Sequence, residues 1–414
     1  MADHPVSVLE VQLYGRTIGT LTNVGGDRTI FAFSEDYVAD ENRPTLSLSF
    51  KDAFGQLLTD LPPTQRRLSP YFANLLPEGH LRDYLAERAG VNPQREFYLL
   101  WALGQDLPGA LTVRPADGES WPPGLEDGPR DSRTSDRENA LRFSLAGVQL
   151  KFSAIKEHTK AGGLTIPAKG VGGSWIVKLP SSRFEGVPEN EFAMMTLARR
   201  IGIDVPEFLL LDTDEIKGLP EGLGALQGQQ SYAIRRFDRG EDGPVHTEDF
   251  AQVFGVYPDE KYKKATARSI AHVLGIETAE SDVAEFVRRL VFSVLAGNAD
   301  MHLKNWSLIY PDGRTPLIAP AYDFVSTIVF MEDDEAALKF VRTKRFDAFS
   351  KEELARLADK AGLPTKPVLD TAVETVERFN EVWAKEQAHL PLKNEWRDII
   401  NAHLARLPIV REAG

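Results

Sequence analysis

Asp300 and Asn305 stand five residues apart in the run Gly297-Asn298-Ala299-Asp300-Met301-His302-Leu303-Lys304-Asn305, and Tyr322-Asp323-Phe324 follows. An Asp-x-x-x-x-Asn pair suits a carboxylate that handles a hydroxyl proton and an amide that holds Mg²⁺; a later carboxylate, Asp323, fits the second side of the ion. Upstream, the strand-like run Trp175-Ile176-Val177-Lys178-Leu179 carries one cation. Phosphoryl transfer asks a protein for these parts: a cation on the phosphates, oxygen ligands for Mg²⁺ and a base beside the acceptor hydroxyl. Lys178, Asp300, Asn305 and Asp323 supply them in that order along the chain. The pattern points to a phosphotransferase that uses ATP and Mg²⁺.

Each residue also has a plainer reading. Lys178 by itself is a strand-end lysine whose stem lies on apolar surface. Glu191 is placed to orient that lysine, but acidic residues are common near a helix N-terminus. Asp and Asn are frequent in solvated turns; the added match of Asn305 and Asp323 is what lifts Asp300 above that reading. His302 is a supporting residue, able to meet a phosphate or to brace the loop. Gly147 lies in a turn where backbone N–H groups can approach phosphates, as in many ordinary hairpins. Arg235 and Phe237 follow a strand where an adenine hinge would run, with Phe237 available to pack on the purine.

The elements that must hold these residues show in the apolar pattern. Leu9, Val11 and Leu13 alternate with polar neighbours, and Gly15-Arg16 reads as a turn into a second strand. Leu46, Leu48 and Phe50 repeat the alternation, and from Ser69 the spacing turns helical. Residues 116–139, rich in Pro, Gly and charge, read as a linker. Beyond it come a strand–turn–strand around Gly147, the Lys178 strand, a helix opened by Pro188 with Asn190 as N-cap and stopped by Gly202, then strands at 206–211 and 232–234. The remainder has helical spacing, including Thr247–Phe254 and Ser281–Leu295. The expected architecture is α+β: an atypical protein-kinase-like bilobal fold with a small β-rich lobe (140–240), a larger all-helical lobe (241–414) and an N-terminal β-rich subdomain (1–115).

Bulk properties narrow the partners. The chain has 414 residues, 42% hydrophobic and 26% charged, with a formal net charge of −13. That charge argues against a surface built throughout for nucleic acid, which needs excess Lys and Arg. There is no cysteine, so no disulfide or thiolate metal site forms. No secretion signal is evident, and the apolar runs are far shorter than a membrane span. The expectation is a cytoplasmic protein with no membrane partner.

Several motifs together carry a resemblance. Ser144-Leu145-Ala146-Gly147-Val148-Gln149-Leu150-Lys151, Ile176-Val177-Lys178-Leu179-Pro180, Asn190-Glu191, Arg236-Phe237-Asp238-Arg239, the Gly297–Asn305 run and Tyr322-Asp323 resemble the HipA family, the serine/threonine kinase toxins of bacterial toxin–antitoxin modules. Leu76-Pro77-Glu78-Gly79 and Asp106-Leu107-Pro108-Gly109-Ala110 resemble that family's N-terminal subdomain. The resemblance implies Asp300 as the catalytic base, Asn305 and Asp323 as Mg²⁺ ligands and Lys178 as the ATP-phosphate lysine. It implies Gly147, Val148, Gln149 and Lys151 in an ATP-phosphate loop, with Ser144 as an autophosphorylation site whose dianion ejects that loop. It further implies a HipB-like helix-turn-helix antitoxin, operator DNA reached mainly through that partner, and a protein substrate such as glutamyl-tRNA synthetase or another aminoacyl-tRNA synthetase. The chain departs from conventional kinases in three ways: Val325 rather than Gly follows Asp323-Phe324, His302 rather than Lys stands two residues after Asp300, and an Ala-Pro-Glu segment is missing. Two other readings compete: a catalytically weak kinase-fold co-repressor, and a metal-dependent phosphohydrolase acting through Asp300 and Asp323.

Overall fold

The computed structural model describes residues 7–116, 151–156, 164–165, 173–181, 183–219, 226, 228–332 and 335–413. Residues 117–139 of the linker, Ser144 and the loop residues Gly147, Val148 and Gln149 lie outside them.

The N-terminal part is a five-stranded antiparallel sheet in the order Thr64–Gln65, Arg28–Phe33, Arg16–Asn23, Val8–Leu13, Leu111–Pro115. Leu9, Val11 and Leu13 are buried along one face, as their alternation requires. Tyr14 and Gly15 both take positive φ between the first two strands, the backbone that a two-residue hairpin turn needs. The helix Glu96–Leu103, buried at every position, covers this part together with Pro70–Ala73 and Gly79–Ala89. Leu48–Phe50, expected as strand, is a 3₁₀ turn. The buried Glu248 carboxylate, from far along the chain, accepts the Leu48 N–H at 2.9 Å and bonds the Ser47 hydroxyl, so these groups are satisfied without a sheet neighbour.

A six-stranded sheet follows, ordered Ile216–Lys217, Leu164–Thr165, Lys151–Lys156, Trp175–Lys178, Gln230–Arg235, Phe208–Asp212. Lys151 and Tyr232 face Lys178 across the ladder, so Lys151 and Lys178 project from one face. The other face, with Phe152, Ala154, Val177 and Ala233, packs into the same core as the N-terminal sheet. The N-terminal subdomain expected over 1–115 thus shares its interior with the kinase-like lobe.

The helix Val187–Arg200 lies on the lysine-bearing face and ends before Gly202, at φ +94°. Its N-cap is Gly186, not Asn190. Asn190 sits buried in the helix, where its amide donates to the Ser326 carbonyl and accepts the Ser326 N–H. That pair ties the helix to the segment just after Asp323.

The larger lobe is mostly helical, built on Ala267–Glu277, Glu280–Leu295, Lys351–Ala361, Thr365–Glu386 and Asn394–Arg406. It is not all-helical. A three-stranded sheet of His246–Asp249, Ser307–Tyr310 and Leu317–Ile318 is set into it. The helix expected over Thr247–Phe254 is therefore strand up to Asp249; only Phe250–Val253 is helical, capped by a reciprocal Asp249–Gln252 box. No helix among the described residues is long and apolar enough to cross a membrane.

Candidate active site

The two lobes enclose a cleft of about 500 Å³. Lys151, Lys178, Glu191, Asp300, His302, Asn305 and Asp323 all line it, so the dispersed sequence candidates converge.

Lys178 ends its strand buried, 4% exposed. Its Nζ donates to Glu191 at 2.5 Å and to Asp323. Burial works to lower its pKa, but the Asp323 and Glu191 carboxylates outweigh burial and hold it above the ordinary lysine range. Burial pushes the Glu191 carboxyl up against the pull of Lys178. Asp323 also has Lys151 Nζ at 3.5 Å. Burial would raise its pKa, yet the two lysines depress it well below the carboxylate norm. Its backbone sits at φ +58°, a left-handed conformation that Asp tolerates better than most residues. Phe324 behind it is fully buried against Phe292 at 4.8 Å.

The loop bearing Asp300 and Asn305 leaves the helix Glu280–Leu295 through Gly297, at φ +63°. A Cβ there would lie 2.4 Å from the Ile328 side chain, so both backbone and space call for glycine. Asn298 Oδ1 accepts the Asp300 N–H at 3.0 Å, and Thr327 Oγ1 accepts the Ala299 N–H at 2.8 Å. Asn305 Nδ2 donates to the Asp300 carbonyl at 2.9 Å, which leaves Oδ1 as the metal-competent atom. Tyr262 donates its hydroxyl to Asp300 Oδ1 at 2.5 Å. Loss of water around Asp300 raises its pKa against that hydrogen bond. One amide oxygen and one carboxylate are the donor set expected for Mg²⁺, which takes few protein ligands and completes its shell with phosphates and water.

The family model of the HipA N-terminal domain matches residues 9–114, and that of the HipA-like C-terminal domain matches residues 143–383. The chain belongs to the HipA family of kinases. It is 61% identical to a Sinorhizobium fredii protein named putative kinase Y4dM, over 98% of both chains. It is 27% identical to the Shewanella oneidensis serine/threonine-protein kinase toxin HipA, over 95% of this chain and 93% of that one. The fold matches the structure of the Shewanella oneidensis HipA, HipB and operator DNA complex at TM-score 0.71 and 22% identity, covering 98% of this chain and 99% of that one.

In this HipA-family cleft, Arg235 and Phe237 both line the wall. Arg235 is exposed at the rim, and its neighbour Arg236 is buried, donating to Asp106 at 2.9 Å and to Asp238 at 2.9 Å. Phe237 is half-buried and stacks on Tyr322 at 5.7 Å. His302 is buried edge-on to Tyr262 at 5.0 Å. Burial, helped by Lys261, lowers its pKa to about 3, so it is neutral near pH 7.

Sequence reading did not single out Tyr262 or Lys261, and took Glu78 only as part of a motif. Glu78 reaches in from the N-terminal part, 2.8 Å from Lys261 Nζ and 2.9 Å from Lys304 Nζ. Burial tends to raise its pKa; Lys304 and Lys261 overcome that and hold it at about 2. Lys304 also donates to the Asn74 carbonyl at 3.0 Å. No spacing rule links these residues to Asp300; only the fold does.

Proposed function

We propose that this chain is an ATP- and Mg²⁺-dependent serine/threonine protein kinase that acts as the toxin of a toxin–antitoxin module. The observation that carries this reading is the ion-pair chain Glu191–Lys178–Asp323 in one cleft with Asp300 and Asn305. A phosphohydrolase has no need of the first part, and a scaffold has no need of either.

Bound ATP supplies the phosphoryl group, and Mg²⁺ neutralises charge on it. Lys178 and Lys151 meet the phosphates, with Glu191 keeping Lys178 aimed. Asn305 Oδ1 and the Asp323 carboxylate hold the metal. Asp300 takes the proton of the acceptor hydroxyl once that hydroxyl displaces Tyr262. His302, being neutral, braces Tyr262 and adds no charge. Ser144 is the proposed autophosphorylation site, and Gly147, Val148 and Gln149 the phosphate loop. The proposed acceptor is a translation factor such as an aminoacyl-tRNA synthetase. A HipB-like helix-turn-helix antitoxin is the proposed partner and the carrier of operator DNA contact, which suits a net charge of −13. Such a system operates in the cytoplasm.

The test is incubation with labelled ATP beside an Asp300→Ala variant, followed by a phosphoproteome comparison of cells expressing each. Transfer to Ser144 or a target protein is expected, with a loss of about 10²–10⁴-fold in the variant. Release of free phosphate alone would refute the kinase, and equal toxicity of both forms would refute the toxin.

A further inference from the structure

Phosphoryl transfer spreads negative charge over the equatorial oxygens, and cations must meet it. Lys178 and Lys151 both bear on Asp323 and so meet the phosphates from the metal side of the cleft. Lys304 is committed to Asn74 and Glu78. His302, beside the base, is buried and neutral. Lys261 remains. It lies outside the motif loop, yet it lines the cleft, and its carbonyl accepts the Leu303 N–H at 3.4 Å. Its charge acts on both Asp300 and His302. Among the described residues, Glu78 is the one hydrogen-bond partner of its Nζ, so two of its three N–H groups can still be donated. Glu78 is shared by the ammoniums of Lys261 and Lys304, and the Asp300 carboxylate, on which Lys261 also acts, supplies the second negative charge on this side.

We propose that Lys261, steered by Glu78 of the N-terminal part, is the cation that faces the γ-phosphoryl group on the acceptor side of this cleft. The proposal rests on the kinase reading and adds a phosphate-facing residue and a positioning residue to it.

The experiment is calorimetric titration of the full chain with Mg·ADP and with Mg·AMP-PNP, a triphosphate analogue that transfers nothing. Lys261→Gln is expected to cut the preference for the triphosphate about tenfold, the scale of a lost charge-assisted hydrogen bond, with ADP affinity held within about twofold. Glu78→Gln removes the neutralising carboxylate. It is expected to raise that preference while phosphate transfer slows, because the ammonium is no longer steered. Wild-type preference in Lys261→Gln overturns the proposal. Unchanged preference in Glu78→Gln also overturns it, and decides the matter if Lys261→Gln does not fold. Failure of the kinase reading looks different: the unmodified chain would bind neither nucleotide, or would release free phosphate from ATP without passing it to an acceptor.

Discussion

Tyr262 occupies the oxygen of Asp300 that an acceptor hydroxyl needs. Its hydrogen bond also favours the ionised carboxylate, against the effect of burial. Removing the hydroxyl in Tyr262→Phe therefore raises the Asp300 pKa. Since the base works ionised, the acidic limb of the kcat/KM–pH profile is expected to move to higher pH; an unmoved limb would mean that the contact is incidental. Lys178 is a different kind of residue, because its removal strands Glu191 as a buried, unpaired carboxylate. Lys178→Met is expected to lose nucleotide binding and also about 3–5 kcal/mol of stability, read from the urea midpoint. A variant with the wild-type midpoint would show that the pair has little structural weight.

At the level of elements, the catalytic loop depends on how the helix before it ends. Gly297→Ala puts a methyl against Ile328 and asks a side-chain residue to hold φ +63°. The expected cost is about 2–4 kcal/mol, a left-handed penalty plus overpacking, seen as a lower melting temperature with transfer impaired before the protein unfolds. Parts of this scaffold were legible in the sequence. Asp300, Asn305 and Asp323 stand close together along the chain and Lys178 ends a recognisable strand run, so these candidates could be picked out without coordinates. The hairpin and the stop at Gly202 are likewise written in single residues, although the turn sits at Tyr14-Gly15, one residue before the Gly15-Arg16 expected. The strand His246–Asp249 was not legible, because its partner Ser307–Tyr310 lies about sixty residues on and decides strand over helix. Asn190 has the right chemistry for a cap, but Ser326 takes both ends of its amide. Lys261, Tyr262 and Glu78 come to the site from two segments whose approach only tertiary packing sets.

The whole molecule is held by buried polar ties between its N-terminal part and the rest. Glu248 anchors Ser47 and Leu48 and accepts from Tyr310 at 2.5 Å. Burial lifts its pKa to about 7 in spite of these donors. Its folded pKa lies above the unfolded value near 4.5, so the folded state binds the extra proton between them. That contribution to stability is complete below about pH 4.5 and is lost as pH rises to about 7, up to about 3 kcal/mol in all. Glu248→Gln cannot ionise, so wild type is expected to lose stability relative to this variant from pH 5 to 8, followed by melting at each pH. A constant difference across that range would contradict it. Glu78 acts in the opposite sense. Its folded pKa of about 2 gives stability that is present above about pH 4.5 and drains away as pH falls toward 2.

The shared core has a consequence for synthesis on the ribosome. The N-terminal part emerges first, but the apolar core it shares is completed by strands that run on to Arg235. Until those strands leave the exit tunnel, the nascent chain carries that core incomplete, with part of its apolar surface exposed. At about 5–20 residues per second that exposure lasts several seconds or more. Holdase chaperones are thus expected to bind ribosome-attached chains stalled near residue 115 far more than chains stalled after the last of those strands has emerged.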